Sequence, residues 1–444
     1  MQTSPPGPTG EPVFGSGRRY SADPLRFLSD IERSYSGIAA VDIGPVRTHI
    51  VTDPSAIEAV LVGDAGSYRK PGFQRDAIGD LLGDGLLLSE GETWERQRKL
   101  ANPAFTMGRL ASFDERIAGH AEGLIDRWTA GETRDIEAEM TRVTVEVIAD
   151  LMLGTSLGER QLTRLRENLE PIGRQFEPDP LRFALPSWLP LPGDRAYDSA
   201  VDAVDEIVDD IIAQRRGTQG GSDGPMDLLS VLLRAQEDGE VSRSQLRDEV
   251  VTTLLAGHDT TALALTFTWY LLSKHPEKRE KLHREVDGID GTPTMADIQE
   301  LDYTAAVLKE SMRLYPPVYS LFREPERDVE LLGYGIEAGS PLMLPQWAVH
   351  RSPTYWSDPD QFRPERWQSE QAGDRPRFAY FPFGGGPRHC IGKNLAELEA
   401  KTILAVIARR YELSYEGRDP PKLAPSLTLH PREGMEMTID ERGN

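Results

Sequence analysis

The longest nearly apolar stretch of the sequence, from Val250 to Leu272, places the tightest limit on how this chain can fold. It is long enough to span a bilayer, for which about 20 apolar residues suffice. However, His258 and Asp259 lie near its middle, and a central Asp costs about 2.5–3.5 kcal/mol on insertion. We therefore predict a buried helix of a soluble protein with no transmembrane anchor, and the polar pair in its middle requires a functional reason.

Length and composition predict one large domain. The 444 residues are 39% hydrophobic, which is enough for a substantial core. A chain of this length would on average contain about three domains, but no long low-complexity linker divides the sequence. With one cysteine, an internal disulfide and a multi-cysteine zinc site are both excluded. We expect a flexible leader at residues 1–20, without the features of a signal peptide, and a cytoplasmic domain at residues 21–444.

Local patterns indicate a mainly α-helical fold with small β-sheets. Residues 38–52 alternate between apolar and polar and contain a Gly-Pro turn, which predicts an early hairpin. From about residue 109 to residue 236, apolar residues recur at the three- and four-residue spacing of helices. Residues 330–345 resemble a second hairpin, and the pattern of residues 393–411 is strongly helical.

Two breaks interrupt the helical region. The first, Pro178 to Asp194, has too many prolines for a helix and carries large apolar side chains such as Phe183, Trp188 and Leu191. It is interpreted either as a lid over an apolar pocket or as a loop packed on the core. The second, Gly217 to Pro225, has the composition of a flexible surface loop.

The strongest chemical signal is the run FGGGPRHCIG, from Phe383 to Gly392, which leads into the last helical pattern. Its glycines allow the backbone to approach a flat group. Cys390 lies at the entrance of the helix, where the helix dipole and free N–H groups stabilise a thiolate. Arg388 is placed to meet an acidic group such as a porphyrin propionate. Without this context, a lone cysteine is more often a small buried hydrophobic residue.

This run resembles the haem-binding loop of the cytochrome P-450 family. The family pattern is matched at all five of its positions by Phe383, Gly386, Arg388, Cys390 and Gly392. The resemblance implies that Cys390 is the axial ligand to the iron of haem b, iron protoporphyrin IX. Thiolate donation to that iron favours O–O cleavage.

The polar break in the buried helix also resembles the family. The segment AGHDTT, from Ala256 to Thr261, is similar to its oxygen-activation motif, in which a helix beside the haem opens locally around an acid and alcohol pair. Asp259 and Thr260 are that pair, and a hydroxyl backed by a carboxylate can order the water that delivers protons. A bond back to the preceding turn would explain Thr260 alone. His258 occupies a variable position of the motif and is not expected to bind iron.

Further family segments supply three charged residues that the resemblance assigns to a structural triad beneath the haem. Glu310 and Arg313 lie three apart in a helical pattern, and Arg366 belongs to the run FRPERW. Taken alone, such a pair is usually solvated and contributes little to stability.

The resemblance to the family covers about residues 85 to 410. Two further sets of residues are predicted, those that bind the haem propionates and those that line the substrate pocket. Trp94, Arg98 and Arg323 match positions that bind haem propionates, although any one of them alone is more often a surface residue. The substrate pocket is predicted beside the motifs, at Ala256, Val318 and Leu321.

The resemblance implies a single multihelical cytochrome P-450-like domain of the soluble prokaryotic type. Its expected activity is a haem-dependent monooxygenase that inserts one oxygen atom from O2 into an apolar substrate such as a fatty acid, terpenoid or steroid. A separate ferredoxin or flavodoxin would supply electrons, docking at a local basic patch formed by Arg96, Lys99 and Lys393. A haem-thiolate isomerase or dehydratase, and a haem-based gas or redox sensor, remain as alternatives. The net charge of −22 argues against a nucleic-acid partner.

The acidic composition predicts stabilisation by salt. A net charge of −22, with only nine lysines among 50 basic residues, favours a halophilic source over a GC-rich genome as the explanation. Long-range repulsion is already largely screened at 0.1 M salt, where the screening length is about 10 Å. A halophilic protein should nevertheless show a thermal midpoint, followed at the Soret band, that rises in potassium chloride above that concentration. A midpoint that stays flat or falls would leave only the genome explanation.

Overall fold

The apolar stretch lies within one long buried helix, Arg243–Lys274, which confirms the prediction of a buried helix. The computed structural model describes residues 4–179, 191–218, 227–368 and 373–443. The Ser242 side chain caps this helix by accepting a hydrogen bond from the Gln245 N–H at 3.1 Å. In the described part of the chain, no helix is long and apolar enough to cross a membrane.

Helices account for most of the described structure, as predicted. They are α1 (Gly17–Ala22), α2 (Pro24–Ser34), α3 (Pro54–Glu58), α4 (Gly72–Leu82), α5 (Gly91–Ala101), α6 (Met107–Leu110), α7 (Asp114–Ile125), α8 (Ile136–Leu153), α9 (Glu159–Arg174), α10 (Asp194–Thr218), α11 (Leu228–Glu237), α12 (Arg243–Lys274), α13 (Pro276–Val286), α14 (Met295–Glu300), α15 (Asp302–Leu314), α16 (Gln346–Val349) and α17 (Lys393–Arg410). The predicted helical region from residue 109 to residue 236 therefore contains α6 to α11, and α17 follows the cysteine run as expected.

The strands are short and form small sheets. They are β1 (Ile38–Ile43), β2 (Val46–Val51), β3 (Tyr68–Arg69), β4 (Glu132–Asp135), β5 (Leu321–Pro325), β6 (Val329–Leu331), β7 (Tyr334–Ile336), β8 (Leu342–Leu344), β9 (Tyr411–Ser414), β10 (Leu423–Pro425), β11 (Leu429–Pro431) and β12 (Glu436–Glu441). The largest sheet has the order β1-β2-β8-β5-β3, and a second has the order β4-β12-β9. Two further antiparallel pairs are β10 with β11 and β6 with β7. Both predicted hairpins are confirmed, as β1–β2 and β6–β7.

The helix α12 runs through the main hydrophobic core and packs against α8, α15 and α17. Its approach to α8 is close at Gly257, where an added Cβ would come within 2.6 Å of the Ile148 side chain. A larger residue at Gly257 would therefore push the two helices apart. Two smaller clusters of buried apolar residues lie beside the largest sheet and the N-terminal helices.

The described part of the N-terminal segment contacts the largest sheet. The Ala40 N–H donates to the Pro6 carbonyl at 2.8 Å, the Ser16 N–H donates to the Asp42 carbonyl at 2.6 Å, and Tyr20 is buried. These contacts attach the segment to β1. The flexibility expected of a leader over residues 1–20 stays a prediction.

The two breaks predicted in the helical region fall mainly on residues that are not described. Phe183 and Trp188 lie outside the described residues, as do residues 219–225 of the second break. The choice between a lid and a packed loop therefore stays a prediction.

Glu310, Arg313 and Arg366 meet in one buried network. Both carboxylate oxygens of Glu310 accept hydrogen bonds from Arg313, at 2.8 and 2.9 Å, and Arg366 Nε donates to the same carboxylate at 2.9 Å. The two guanidinium groups also donate to backbone carbonyls, those of His350, Ser357, Asp358, Pro359 and Gln361. The network thereby ties α15 to the loop that precedes the cysteine run.

Loss of the Glu310 charge should destabilise the fold. We expect Glu310→Gln to lower the free energy of unfolding in urea by about 3–5 kcal/mol, because it leaves buried arginines without their carboxylate. The control is Glu433→Gln, which breaks an exposed pair with Lys422 and should cost at most about 1 kcal/mol. Equal effects of the two substitutions would contradict a supporting role for the network.

Candidate functional site

Cys390 lies in a tight loop between a 3-10 turn, Gly386–Arg388, and the start of α17. The Cys390 N–H donates to the Phe383 carbonyl at 2.9 Å, which closes the loop. The residue is accessible from a large internal cavity, whose lining also includes Phe383 and Gly392. Cys390 and the first and last residues of the predicted motif therefore line the same cavity.

The glycines of this loop are needed for close packing against the protein itself. Gly386 has a φ of 66°, and a Cβ there would lie 1.8 Å from the Leu61 carbonyl oxygen. A Cβ at Gly385 would lie 2.5 Å from the Phe378 ring. The sequence interpretation, that the glycines approach a flat group, is thus incomplete, because these two also seat the loop on its neighbours.

The surroundings of the thiol act on its ionisation in opposite directions. Burial below the molecular surface raises the pKa of Cys390, while hydrogen bonds from the Gly392 and Lys393 backbone and the charge of Arg98 lower it. Burial has the larger effect, so the helix start does not by itself make this cysteine a free thiolate. Those donors nevertheless suit a sulfur whose negative charge is shared with a metal.

Several cations line the cavity near this loop. Arg388 donates to the Ser89 carbonyl at 2.9 Å, pairs with Glu90 and lies 4.4 Å from the centre of the Trp94 ring. Arg98 donates to the His389 carbonyl at 3.0 Å, and Arg323 donates to its neighbouring Phe322 carbonyl at 2.7 Å. The structure therefore brings Trp94, Arg98, Arg323 and Arg388 to the cavity that Cys390 lines.

Lys70 belongs to the same cation cluster, and no sequence motif indicated it. Its ammonium lies 4.0 Å from Glu90 and donates to the Ser89 carbonyl at 3.4 Å. Burial, together with the charges of Arg388 and Arg323, lowers the pKa of Lys70 to about 7. Burial and Arg388 likewise lower the pKa of Arg323 to about 10. Buried cations placed this close to one another would be stabilised by an anionic group, as a haem propionate is.

Helix α12 contributes Ala256, Asp259 and Thr260 to the same cavity. The Thr260 hydroxyl donates to the Ala256 carbonyl at 3.1 Å. The helix is continuous through these residues, so the local opening implied by the resemblance is not seen in the backbone. His258 is fully buried, and its Nδ1 is 2.6 Å from the Leu254 carbonyl oxygen.

Asp259 is linked to groups outside the predicted motif. Its Oδ1 lies 3.5 Å from His430 Nε2, and the Thr428 hydroxyl lies 2.9 Å from the same ring nitrogen. His430 Nδ1 lies 2.7 Å from Glu137 Oε1. Although burial acts to raise the pKa of Asp259, the charge of His430 lowers it to about 2. Sequence reasoning missed Glu137, Thr428 and His430 because they belong to no local motif.

The cavity is large, and its lining as a whole is mostly apolar. Its volume is about 2180 Å³, and Ala256, Val318 and Leu321 are in its lining, as predicted for a substrate pocket. Further apolar lining comes from α4 and the turn after it, at Ile78, Leu81, Leu82, Leu86, Leu87 and Leu88. This space is sufficient for a planar cofactor together with an apolar ligand.

Comparison with known proteins gives a consistent result. The family model described as Cytochrome P450 matches residues 5–437. The chain is 32% identical over 440 residues to cyclooctatin synthase of Streptomyces melanosporofaciens, covering 97% of this chain and 93% of the relative. It is 34% identical over 421 residues to cyclooctat-9-en-7-ol 5-monooxygenase of the same organism, covering 91% of this chain and 88% of the relative.

A third relative and a solved structure extend the comparison. Pentalenene oxygenase of Streptomyces avermitilis is 28% identical over 435 residues, covering 96% of this chain and 95% of the relative. The crystal structure of the cytochrome P450DA heme domain superposes with a TM-score of 0.87 at 28% identity, covering 100% of this chain and 99% of that one. Both matches extend over nearly the full length of the chain.

Proposed function

Because the chain belongs to the cytochrome P450 family and is a cytochrome P450 monooxygenase, we propose that it oxygenates an apolar cyclic terpenoid at a haem b bound through Cys390. The observation that carries this proposal is one cavity lined both by Cys390 and by Ala256, Asp259 and Thr260. One cavity would thus hold both the iron ligand and the acid and alcohol pair that the resemblance implies. The single cysteine of the chain also fits the cytoplasmic location predicted from the sequence.

The residues around the cavity fit the haem that the family uses. Cys390 would bind the iron, and the loop that includes Phe383, Gly386 and Gly392 would hold the sulfur in place. The propionates would be bound by the cation cluster, Lys70, Trp94, Arg98, Arg323 and Arg388. Arginine suits this role because its planar fork can donate two hydrogen bonds to one carboxylate.

When bound, haem supplies the activation of O2 and the transfer of one oxygen atom into a C–H bond or a double bond. The protein would supply position and protons. Ala256, Val318 and Leu321 would orient an apolar substrate and exclude bulk water from the cavity. The Thr260 hydroxyl, already held by the Ala256 carbonyl, would order a water molecule that passes protons inward, with Asp259 as its acidic partner.

Cyclic terpenoids are supported best among the substrate classes that the sequence left open. Two relatives are named for cyclooctat-9-en-7-ol and pentalenene, both unsaturated carbon compounds with little polar functionality. The apolar side chains of α4 and of Leu86 to Leu88 would form a suitable wall. A rigid cyclic skeleton loses little conformational entropy on entering such a cavity.

A ferredoxin or flavodoxin is proposed as the separate electron donor. Arg96 and Lys99 are exposed on α5, and Lys393 is exposed at the start of α17. Arg98 of α5 contacts His389 beside Cys390, so these basic side chains belong to the two elements that flank the cysteine loop. An acidic carrier could dock there by charge complementarity, which would place its redox centre on the cysteine side.

Substitution of Thr260 should uncouple oxygen activation from product formation. With a surrogate ferredoxin and its reductase, pentalenene and cyclooctat-9-en-7-ol as probes and 18O2 as oxidant, we expect one labelled atom in the product. Thr260→Ala should retain haem and probe binding, read as the ferric Soret shift. It should also lower the fraction of electrons that reach product by about tenfold, with hydrogen peroxide released instead.

The matched control for this experiment is Thr266→Ala. Thr266 lies on the same helix and donates to the Ala262 carbonyl at 2.7 Å, but it is not part of the cavity lining. It should therefore leave coupling unchanged. Equal coupling in the parent and Thr260→Ala would refute the role of Thr260, and product formed without reductant would point to an isomerase or dehydratase.

A further inference from the structure

His430 connects the predicted oxygen-activation acid to a second carboxylate. It lies on β11, and its two ring nitrogens face Glu137 of α8 at 2.7 Å and Asp259 of α12 at 3.5 Å. Thr428 Oγ1 lies 2.9 Å from His430 Nε2, the ring nitrogen that faces Asp259. Three elements distant in sequence therefore converge on one imidazole at the edge of the cavity.

We propose that His430 is a positioning residue for Asp259: held as a cation between Glu137 and Asp259, it keeps the Asp259 carboxylate ionised and directed toward β11. This inference rests on the proposed function, in which Asp259 and Thr260 order the water that delivers protons. Asp259 would then act as a fixed hydrogen-bond acceptor for that water, and would not itself take up and release protons during each turnover.

The geometry favours the doubly protonated form of His430. An imidazole with a carboxylate at each nitrogen can satisfy both acceptors only when both nitrogens carry protons. The Nε2–H would donate to the Thr428 hydroxyl at 2.9 Å, with the Asp259 carboxylate 3.5 Å from the same nitrogen. Burial acts to lower the pKa of His430, but Asp259 and Glu137 raise it to about 10. The group is thus a stable cation and a poor proton donor near neutral pH.

The other charges around His430 do not replace it. Asp135 lies beside Glu137 but is 3.4 Å from Arg166, and it accepts the Glu137 N–H at 3.2 Å. His258 lies next to Asp259 on α12. Burial lowers the pKa of the His258 ring, so the ring is neutral. Arg432 lies 3.6 Å from Glu177. Among the ion pairs of the described residues, those of Glu137 and Asp259 are both with His430.

Removal of the cation should allow Asp259 to titrate. The folded-state pKa of Asp259 is lowered to about 2, so the carboxylate is ionised throughout the neutral range. Without His430 the effect of burial would dominate and raise that pKa toward neutrality. Asp259 would then become protonated as the pH falls, and its ability to accept a hydrogen bond from the ordered water would be lost at the acidic end.

The first test measures the charge of His430 directly. The holoprotein in its diamagnetic ferrous carbon monoxide form, with 15N-labelled histidine, should show one imidazolium signal at pH 8 among the eight histidines, absent from His430→Gln. This variant assigns the signal without any assay of activity. A neutral His430 ring at pH 8 would overturn the proposal.

The second test separates positioning from a merely structural role. Reduction of O2 is driven by a surrogate ferredoxin and its reductase without organic substrate. The electrons yield either hydrogen peroxide, by two electrons and two protons, or water, by four of each. In His430→Gln we expect the peroxide fraction to rise about threefold or more as the pH falls from about 8 to about 6. In the parent and in the cationic variant His430→Arg it should stay nearly constant.

The outcomes distinguish this inference from the proposed function. The same pH profile in the parent and His430→Gln, in proteins that bind haem normally, would overturn the role of His430 alone. A profile that changes equally in His430→Gln and His430→Arg would assign His430 a packing role and also overturn the proposal. Absence of the long-wavelength Soret band of the reduced carbon monoxide complex in the parent would instead refute the proposed function.

Discussion

The structure depends on the burial of α12, because this helix passes through the main core and carries polar residues at its centre. Its apolar side chains pack against α8, α15 and α17, and the close approach at Gly257 fixes its position relative to α8. Burial of this kind stabilises the fold only if the polar groups in the middle of the helix have partners. Asp259 is paired with His430, and the Thr260 hydroxyl donates to the Ala256 carbonyl. Both residues lie on the side of the helix that lines the cavity.

Buried charged side chains have different kinds of partner in two parts of the molecule. In the network around Glu310, each carboxylate oxygen accepts hydrogen bonds from two or more donors, and the guanidinium groups also reach backbone carbonyls. This arrangement is complete within the protein and serves rigidity. Around Lys70, Arg323 and Arg388, by contrast, burial and the charge of Arg388 lower the pKa of the other two cations, and the three share Glu90. Such a cluster suits an anionic ligand, and its location beside the Cys390 loop indicates which one.

Much of this could be predicted from the sequence because the informative patterns are local. The run around Cys390 and the polar break in α12 are each made of consecutive residues, so each can be recognised in a short stretch of sequence. The link from Asp259 to His430 could not be predicted, since no periodicity or motif connects residues so far apart. Lys70 was missed for the same reason. The attachment of the N-terminal segment to β1 could not be predicted either, because backbone hydrogen bonds leave no side-chain pattern.

Cys390 would hold the haem iron as its thiolate, and the carbon monoxide complex of the reduced protein tests this ligation. Thiolate donation shifts the Soret band of that complex to long wavelength, so the purified protein should show the shifted band. Cys390→His, which retains a side chain able to bind haem iron, should bind haem and carbon monoxide but show the band at the shorter wavelength typical of a nitrogen ligand. An unchanged long-wavelength band in that variant would contradict the account.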